Sequence, residues 1–277
     1  MTELPPETTY LTLPADGGGP ALPAQVSSTT TRYLELIDQA LPGQVTGLYL
    51  TGSIPLGDFR PGFSDIDGVV VVASPLTEAE VVAVRGVHEQ LPSAPAFDVT
   101  YLTAADLAVA PDATKPVVFT LDGEFQEAPF GGPVSPVLWS EMARQSIALR
   151  SVPDLVVHDD QEALEAFTRD NLTSYWAGRF DSLEAAFADH PDDEVVDAWI
   201  LPWVMLGVPR LHALLATGNI ISKTGAGEHA LIAFPEWSPL LHRCLDHRAG
   251  KPETFTVADA KSAAPYGRKV ITTALAL

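Results

Sequence analysis

Three aspartates and a Gly-Ser turn carry the chemistry that this sequence can offer. Asp65 and Asp67 stand one residue apart at the head of an apolar run ending at Val72. In a strand, residues i and i+2 point to one face, so the two carboxylates aim together while Ile66 enters the core. Two such charges need a cation between them, since otherwise one is driven to protonate. Hard oxygen ligands suit Mg²⁺ shared with substrate phosphates. A bare D-x-D pair also occurs at solvated loop edges. Here, however, a short strand through Leu48 and Leu50 feeds Gly52 and Ser53, whose backbone N–H groups and hydroxyl can grip a phosphate chain. Asp98, in the β-patterned run from Phe97 to Leu102, offers a third carboxylate, able to bridge a metal or to take the proton of an attacking hydroxyl. Read alone, Asp98 is equally an ordinary strand-edge acid. Taken together, the set suits in-line attack at an α-phosphorus with pyrophosphate leaving, where positioning and charge neutralisation supply most of the rate.

These residues need a scaffold. Ser27 to Thr31 offer N-cap residues ahead of Tyr33, Leu34, Ile37 and Leu41 at helical spacing, and Pro42-Gly43 ends that helix. After the Asp-bearing strand, Thr77 caps a second helix whose apolar face holds Val81, Val82, Val84 and Val87, closed by Pro92. The order is helix, strand, Gly-Ser turn, strand, helix, strand, a small mixed α/β unit. Residues 111–136, with Gly123, Gly131, Gly132 and several prolines, read as a loop-rich crossing in which Phe125 faces a cleft. Beyond that the pattern is helical: Leu138 to Leu149, Gln161 to Trp176, Arg179 to Asp189, Glu194 to Thr217, Pro235 to Leu245 and Val257 to Leu275. Pro202 and Pro209 are expected to kink or divide the fourth. The expected domains are an extended or poorly ordered arm over 1–26, the α/β unit over 27–136 and an all-α part over 137–277. The fold class is therefore α+β.

Composition bounds the partners. The chain has 277 residues, 46% of them apolar, enough for one large domain or two ordinary ones. A formal charge of −20 argues against nucleic acid, whose phosphates need Lys and Arg. It favours cationic ligands, although a lineage of acidic proteins explains it as well. The single cysteine, Cys244, excludes an internal disulfide and fits a reducing cytoplasm. No stretch is read as long enough to cross a membrane, and residues 1–24 lack the basic start and apolar run of a signal peptide. A cytoplasmic protein, monomeric or weakly dimeric, is expected.

Thr51, Gly52 and Ser53, eleven residues, then Asp65, Ile66 and Asp67 resemble the G-S…D-x-D signature of the polymerase-β-like nucleotidyltransferase superfamily. Within it the chain is most similar to the aminoglycoside 3″/9 adenylyltransferases, the streptomycin and spectinomycin resistance enzymes. The similar stretches are Leu48 to Val72, Phe97 to Leu102, Ala143 to Leu149 and Arg210 to Lys223, and the last spacing points to this subfamily. The resemblance implies a polymerase-β-like domain, a mixed sheet with flanking helices, followed by a helical bundle, both substrates lying between them. It implies transfer of AMP from Mg·ATP to a hydroxyl of an aminoglycoside or aminocyclitol. Gly52, Ser53, Asp65 and Asp67 would hold ATP and two Mg²⁺, Asp98 would be catalytic base and metal ligand, and Arg210 and Lys223 would contact the phosphates. On the drug side it implies Phe125, where the family has Trp, with Glu194 and Asp197. Asp98 stands where the family pattern has Glu, about one methylene longer.

Two other readings remain open. The same chemistry could serve a protein side chain or another metabolite, or the fold could bind a nucleotide without turnover, though a non-catalytic descendant need not keep all three acids. His242, Cys244 and His247 have metal-ligand types but not zinc spacing. Trp199 and Trp203, four residues apart, are expected in the core, and His212 is read as an ordinary helix histidine.

Overall fold

A computed structural model describes residues 22–126 and 132–277 of the chain. Most of the expected N-terminal arm, and Gly131 of the loop-rich crossing, lie outside the described residues. Two compact units divide the chain, residues 1–160 and 161–277.

In the first unit, the apolar runs pair as a six-stranded mixed sheet. β1 (Val45–Leu50) and β2 (Ile66–Val72) are antiparallel. Helix α1 (Ala24–Ala40) precedes them, and α2 (Glu78–His88) links β2 to the parallel strand β3 (Phe97–Thr103). A single turn, α3 (Ala104–Leu107), follows, then a hairpin of β4 (Val118–Leu121) and β5 (Glu124–Gln126). Helix α4 (Pro136–Gln145) leads into β6 (Ile147–Arg150), which pairs with β1 and completes the order β5-β4-β3-β2-β1-β6. Period-two alternation separates the faces. Leu48, Leu50, Val70, Phe97 and Val99 pack with α1 and α2, whereas Tyr49, Val69, Val71 and Leu102 pack with Trp139 and Met142 of α4.

The second unit is helical: α5 (Gln161–Asn171), a π-helical turn (Leu172–Trp176), α6 (Ala177–Phe187), α7 (Ile200–Thr217), α8 (Lys223–Ala233), α9 (Ser238–Arg248) and α10 (Val257–Leu275). Two short strands, β7 (Val195–Val196) and β8 (Phe255–Thr256), pair beside them. Its core joins α6, α7 and α10, with the buried Tyr266 hydroxyl donating to the Met205 carbonyl at 3.0 Å.

Several expectations are corrected. The first helix starts at Ala24, and Thr29 and Thr30 are buried inside it rather than capping it; Thr30 Oγ1 donates to the Val26 carbonyl at 2.8 Å. Thr77 does cap α2, in a reciprocal box with Glu80, but Val82 is exposed. The stretch read as a loop-rich crossing contains the β4–β5 hairpin. The helix read as Leu138 to Leu149 stops at Gln145, because Ser146 is extended and β6 is drawn onto β1. That pairing keeps residues 136–160 with the sheet, so the units meet at Asp160–Gln161, later than 136/137. Glu194 to Asp197 lie in and around β7, not on a helix. Helix α8 lies between two of the expected helices, over a stretch for which none is expected. Pro202 sits in the first turn of α7, where a missing N–H is tolerated, and Pro209 lies within α7 without dividing it. The unbroken 18-residue α7, of mean hydropathy 1.4, is long and apolar enough to cross a membrane, contrary to the sequence reading. Ten of its residues are buried in the helical core, which accounts for its apolar character. Trp199 is 62% exposed, not core; Trp203 packs partly buried against Trp176.

Candidate active site

The acids gather at one end of the central strands. Asp67 and Asp98 are register partners on the parallel strands β2 and β3, and Asp65 immediately precedes β2. All three fall on the face shared with Val69, Val71 and Leu102, beyond the part that α4 covers. Asp65 is exposed, while Asp67 and Asp98 are half-buried.

The turn after β1 stands against this row. The Thr51 N–H donates to the Asp67 carbonyl at 2.9 Å, and Gly52 adopts φ 64°. A Cβ on residue 52 would collide with the Asp67 carboxylate, so glycine is required both by the left-handed backbone and by the close approach. Ser53 accepts the Asp58 N–H through its carbonyl at 2.9 Å, and its own Oγ is buried with no hydrogen-bond partner among the described residues. A buried hydroxyl left so is uncommon and marks a place where a ligand atom completes the bonding. Asp58, itself buried, pairs with Arg60 at 3.1 Å and was not singled out from the sequence.

A fourth acid joins from the β4–β5 turn. Ligand oxygens of Asp65, Asp98 and Asp122 lie within 4.8 Å of one another. The N–H groups of Asp122 and Gly123 donate to the two oxygens of Asp98 at 2.8 and 2.9 Å. Thr120 fixes this hairpin to β3, accepting from the Val99 N–H and donating to the Phe97 carbonyl, both at 2.8 Å. Burial raises the Asp98 carboxyl above the usual range, the Gly123 and Asp122 amides oppose this, and the Asp65 and Asp122 charges raise it further. At such separations each like-charge pair is repulsive by about 1 kcal/mol in water and about 3 kcal/mol at an effective dielectric of 20. Hard carboxylate donors in this number fit a divalent cation such as Mg²⁺, and the buried Ser53 hydroxyl beside Gly52 fits a phosphate oxygen.

Sequence reading missed Asp122 although its signal was present. Asp122-Gly123 lies between two short β-patterned runs, both residues have positive φ (53° and 76°), and Asp-Gly is the favoured pair for a two-residue hairpin turn.

The remaining candidates stand elsewhere. Phe125, on β5, packs against His88 with ring centroids 5.7 Å apart and lies under the Arg85 guanidinium at 5.6 Å. It borders a hollow with Arg85, His88, Glu89 and Glu124. His88 bonds through Nε2 to the Tyr101 hydroxyl at 2.8 Å, and burial lowers its pKa to about 4. In the second unit, Arg210 is half-buried on α7, its Nε 3.4 Å from the Gly207 carbonyl, and Lys223 opens α8 after the Ser222 cap. The two helices are tied by His212 and His229, whose ring nitrogens are 2.8 Å apart. Glu194 is exposed and pairs with His190 at 3.0 Å; Asp197 is exposed in the turn before α7.

Residues 32–109 match the nucleotidyltransferase domain family, a segment containing Gly52, Ser53, Asp65, Asp67 and Asp98 but not Asp122 or the helical unit. No curated protein sequence matches the chain. Among solved structures, the fold is similar to that of spectinomycin adenyltransferase AAD(9) from Enterococcus faecialis, crystallised with ATP and spectinomycin. The TM-score is 0.64 over 89% of this chain and 99% of that one, at 14% identity. The architecture is thus the expected α+β, a nucleotidyltransferase fold followed by a helical part.

Proposed function

We propose that the chain, whose residues 32–109 match the nucleotidyltransferase domain family, transfers AMP from ATP to a hydroxyl of an aminoglycoside or aminocyclitol antibiotic of the streptomycin or spectinomycin type, releasing pyrophosphate. The observation that carries this reading is the alignment of Asp65, Asp67 and Asp98 on one face beside the Gly52–Ser53 turn. The AAD(9) fold, from a protein crystallised with ATP and spectinomycin, supports the nucleotide and the acceptor class.

In this reading the Gly52 turn lets the triphosphate approach the backbone, and the Ser53 hydroxyl donates to a phosphate oxygen. Asp65, Asp67 and Asp98 would hold Mg²⁺, which when bound would supply neutralisation of the phosphate charge. Asp98 accepts the proton of the acceptor hydroxyl. Arg210 and Lys223 steady the phosphates. The net charge of −20 attracts an acceptor bearing amino or guanidino groups, for which Phe125, Glu194 and Asp197 are the offered contacts. We place the protein in the cytoplasm, where ATP is available.

The test is pyrophosphate release from ATP with purified protein against a panel of streptomycin, spectinomycin and related amino sugars. Release with one of them, lost in Asp67→Asn, supports the reading. Silence across the panel, with label from ATP appearing on a protein instead, would move the acceptor to a side chain. Tight ATP binding without any product would leave a nucleotide-binding regulator.

A further inference from the structure

Asp122 lies beyond the segment that matches the nucleotidyltransferase family, on the hairpin turn between β4 and β5. Its carboxylate comes within 4.8 Å of those of Asp65 and Asp98, whereas the Asp67 carboxylate is turned against Gly52. The turn explains the backbone but not the charge. A residue at φ 53° must tolerate the left-handed region, which Asn or Gly does without adding a third negative group. The buried Ser53 Oγ, without a partner, separately marks this end of the sheet as a place completed by a ligand. We propose that Asp122 is a third protein ligand of the divalent cation held by Asp65 and Asp98, a proposal that rests on the metal-assisted reading of this site.

The hairpin then does two things with one dipeptide. Its amides hold both oxygens of Asp98 in place, and its first side chain supplies another oxygen. Each Asp98 oxygen keeps a second lone pair for the cation, so clamping and ligation are compatible. Asp67 is left to the cation on the side of the Gly52–Ser53 turn.

Mn²⁺ is the probe, added to the full chain without ATP, with free Mn²⁺ followed by electron paramagnetic resonance and bound water counted by proton relaxation. Asp122→Asn keeps the turn and its amides while removing the charge, and Asp122→Gly keeps the turn without a side chain. Both are expected to weaken Mn²⁺ binding by roughly tenfold or more, the scale at which even outer partners of metal ligands act. Each is also expected to add a water to the bound ion, with the melting temperature unchanged. Wild-type affinity in both variants, while Asp65→Asn is weakened, would overturn the proposal and leave the proposed function standing. A deficit that disappears at high salt would also overturn it, since that marks a through-space charge effect and not a ligand. Wild-type Mn²⁺ binding in Asp65→Asn would defeat the metal reading of the whole site together with the proposal.

Discussion

The sheet unit and the helical unit hold their charged residues in different ways. In the first, Asp67 and Asp98 are fixed by strand register, and Asp98 and Asp122 by the two-residue turn that donates two N–H groups. The position of each acid follows from hydrogen-bonded backbone within one or two bonds of the carboxylate. In the second, Arg210 and Lys223 stand on α7 and α8 at the ends of long side chains with several rotatable bonds, the Arg210 Nε lying 3.4 Å from the Gly207 carbonyl. Short acids on strands suit a cation that demands defined geometry. Long cations on helices suit phosphates that are gripped electrostatically and released with the product. On the proposed function, changes in the sheet should abolish chemistry, whereas changes in the helices should weaken nucleotide binding.

The strongest break of that contrast is Asp65→Asn or Asp67→Asn. Each should lower the rate of pyrophosphate release by about 10³ or more, the scale of losing one preorganised electrostatic group. Circular dichroism should show both variants folded, because Asp65 is exposed and Asp67 only half-buried. A loss of less than tenfold in both would mean that the sheet edge is not where charge is neutralised.

The pH dependence of folding contrasts the two units a second way. Burial lowers the His88 pKa from 6.5 to about 4. Between those values the unfolded chain binds more protons than the folded one, so stability rises with pH across the window and falls as pH drops towards 4. A shift of that size corresponds to up to about 3 kcal/mol, developed in full only below pH 4. His212 and His229 in the helical unit are also lowered by burial, His212 further by the His229 charge beside it, so their slope should share the sign. Urea unfolding of wild type and His88→Gln at several pH values, read separately for each unit, would show the sheet unit losing its slope in the variant. An unchanged slope would place the sensitivity elsewhere.

How much of this was legible follows from the same contrast. The D-x-D pair, the Gly-Ser turn and Asp98 could be read because strand periodicity fixes side-chain direction over two residues, and β2 and β3 run as continuous apolar segments. Asp122 is signalled only by its Asp-Gly pair, a weak mark because the flanking β4 and β5 have only 4 and 3 residues. Ser146 and β6 were read into a helix because the run from Ile147 carries apolar residues that pairing with β1, not local preference, draws into a strand. In the helical unit, Arg210 and Lys223 came only from a family spacing; nothing in a lone Arg on an apolar helix reports a phosphate. Glu194 and Asp197 were set on a helix that begins only at Ile200, since the β7–β8 pairing is a contact distant in sequence.

The helical side can be tested directly. If Arg210 and Lys223 contact the phosphates as proposed, Arg210→Met and Lys223→Met should each raise KM for ATP by roughly tenfold to a hundredfold, with kcat changed only a few-fold. Equal losses in kcat and kcat/KM would show that these cations act on the transition state, and the division of labour between the units would fail.

The smallest expected effect, Asp98→Glu, asks whether the sheet site is built around the shorter acid. It keeps the charge and adds one methylene. In this chain both oxygens of Asp98 are held by the Asp122 and Gly123 amides at 2.8 and 2.9 Å, and Thr120 pins the hairpin to β3. A carboxylate carried about 1.5 Å further cannot keep both bonds unless the turn moves. If the hairpin has adapted to aspartate, activity should fall by about tenfold, the equivalent of roughly 1.4 kcal/mol, and the protection of the Asp122 and Gly123 amides from hydrogen exchange should fall with it. Activity equal to or above wild type, with those amides still protected, would mean that the turn follows the acid and that its clamp is incidental. That outcome would also blur the contrast between units, because the sheet edge would then accommodate a change in side-chain length as readily as the helices do.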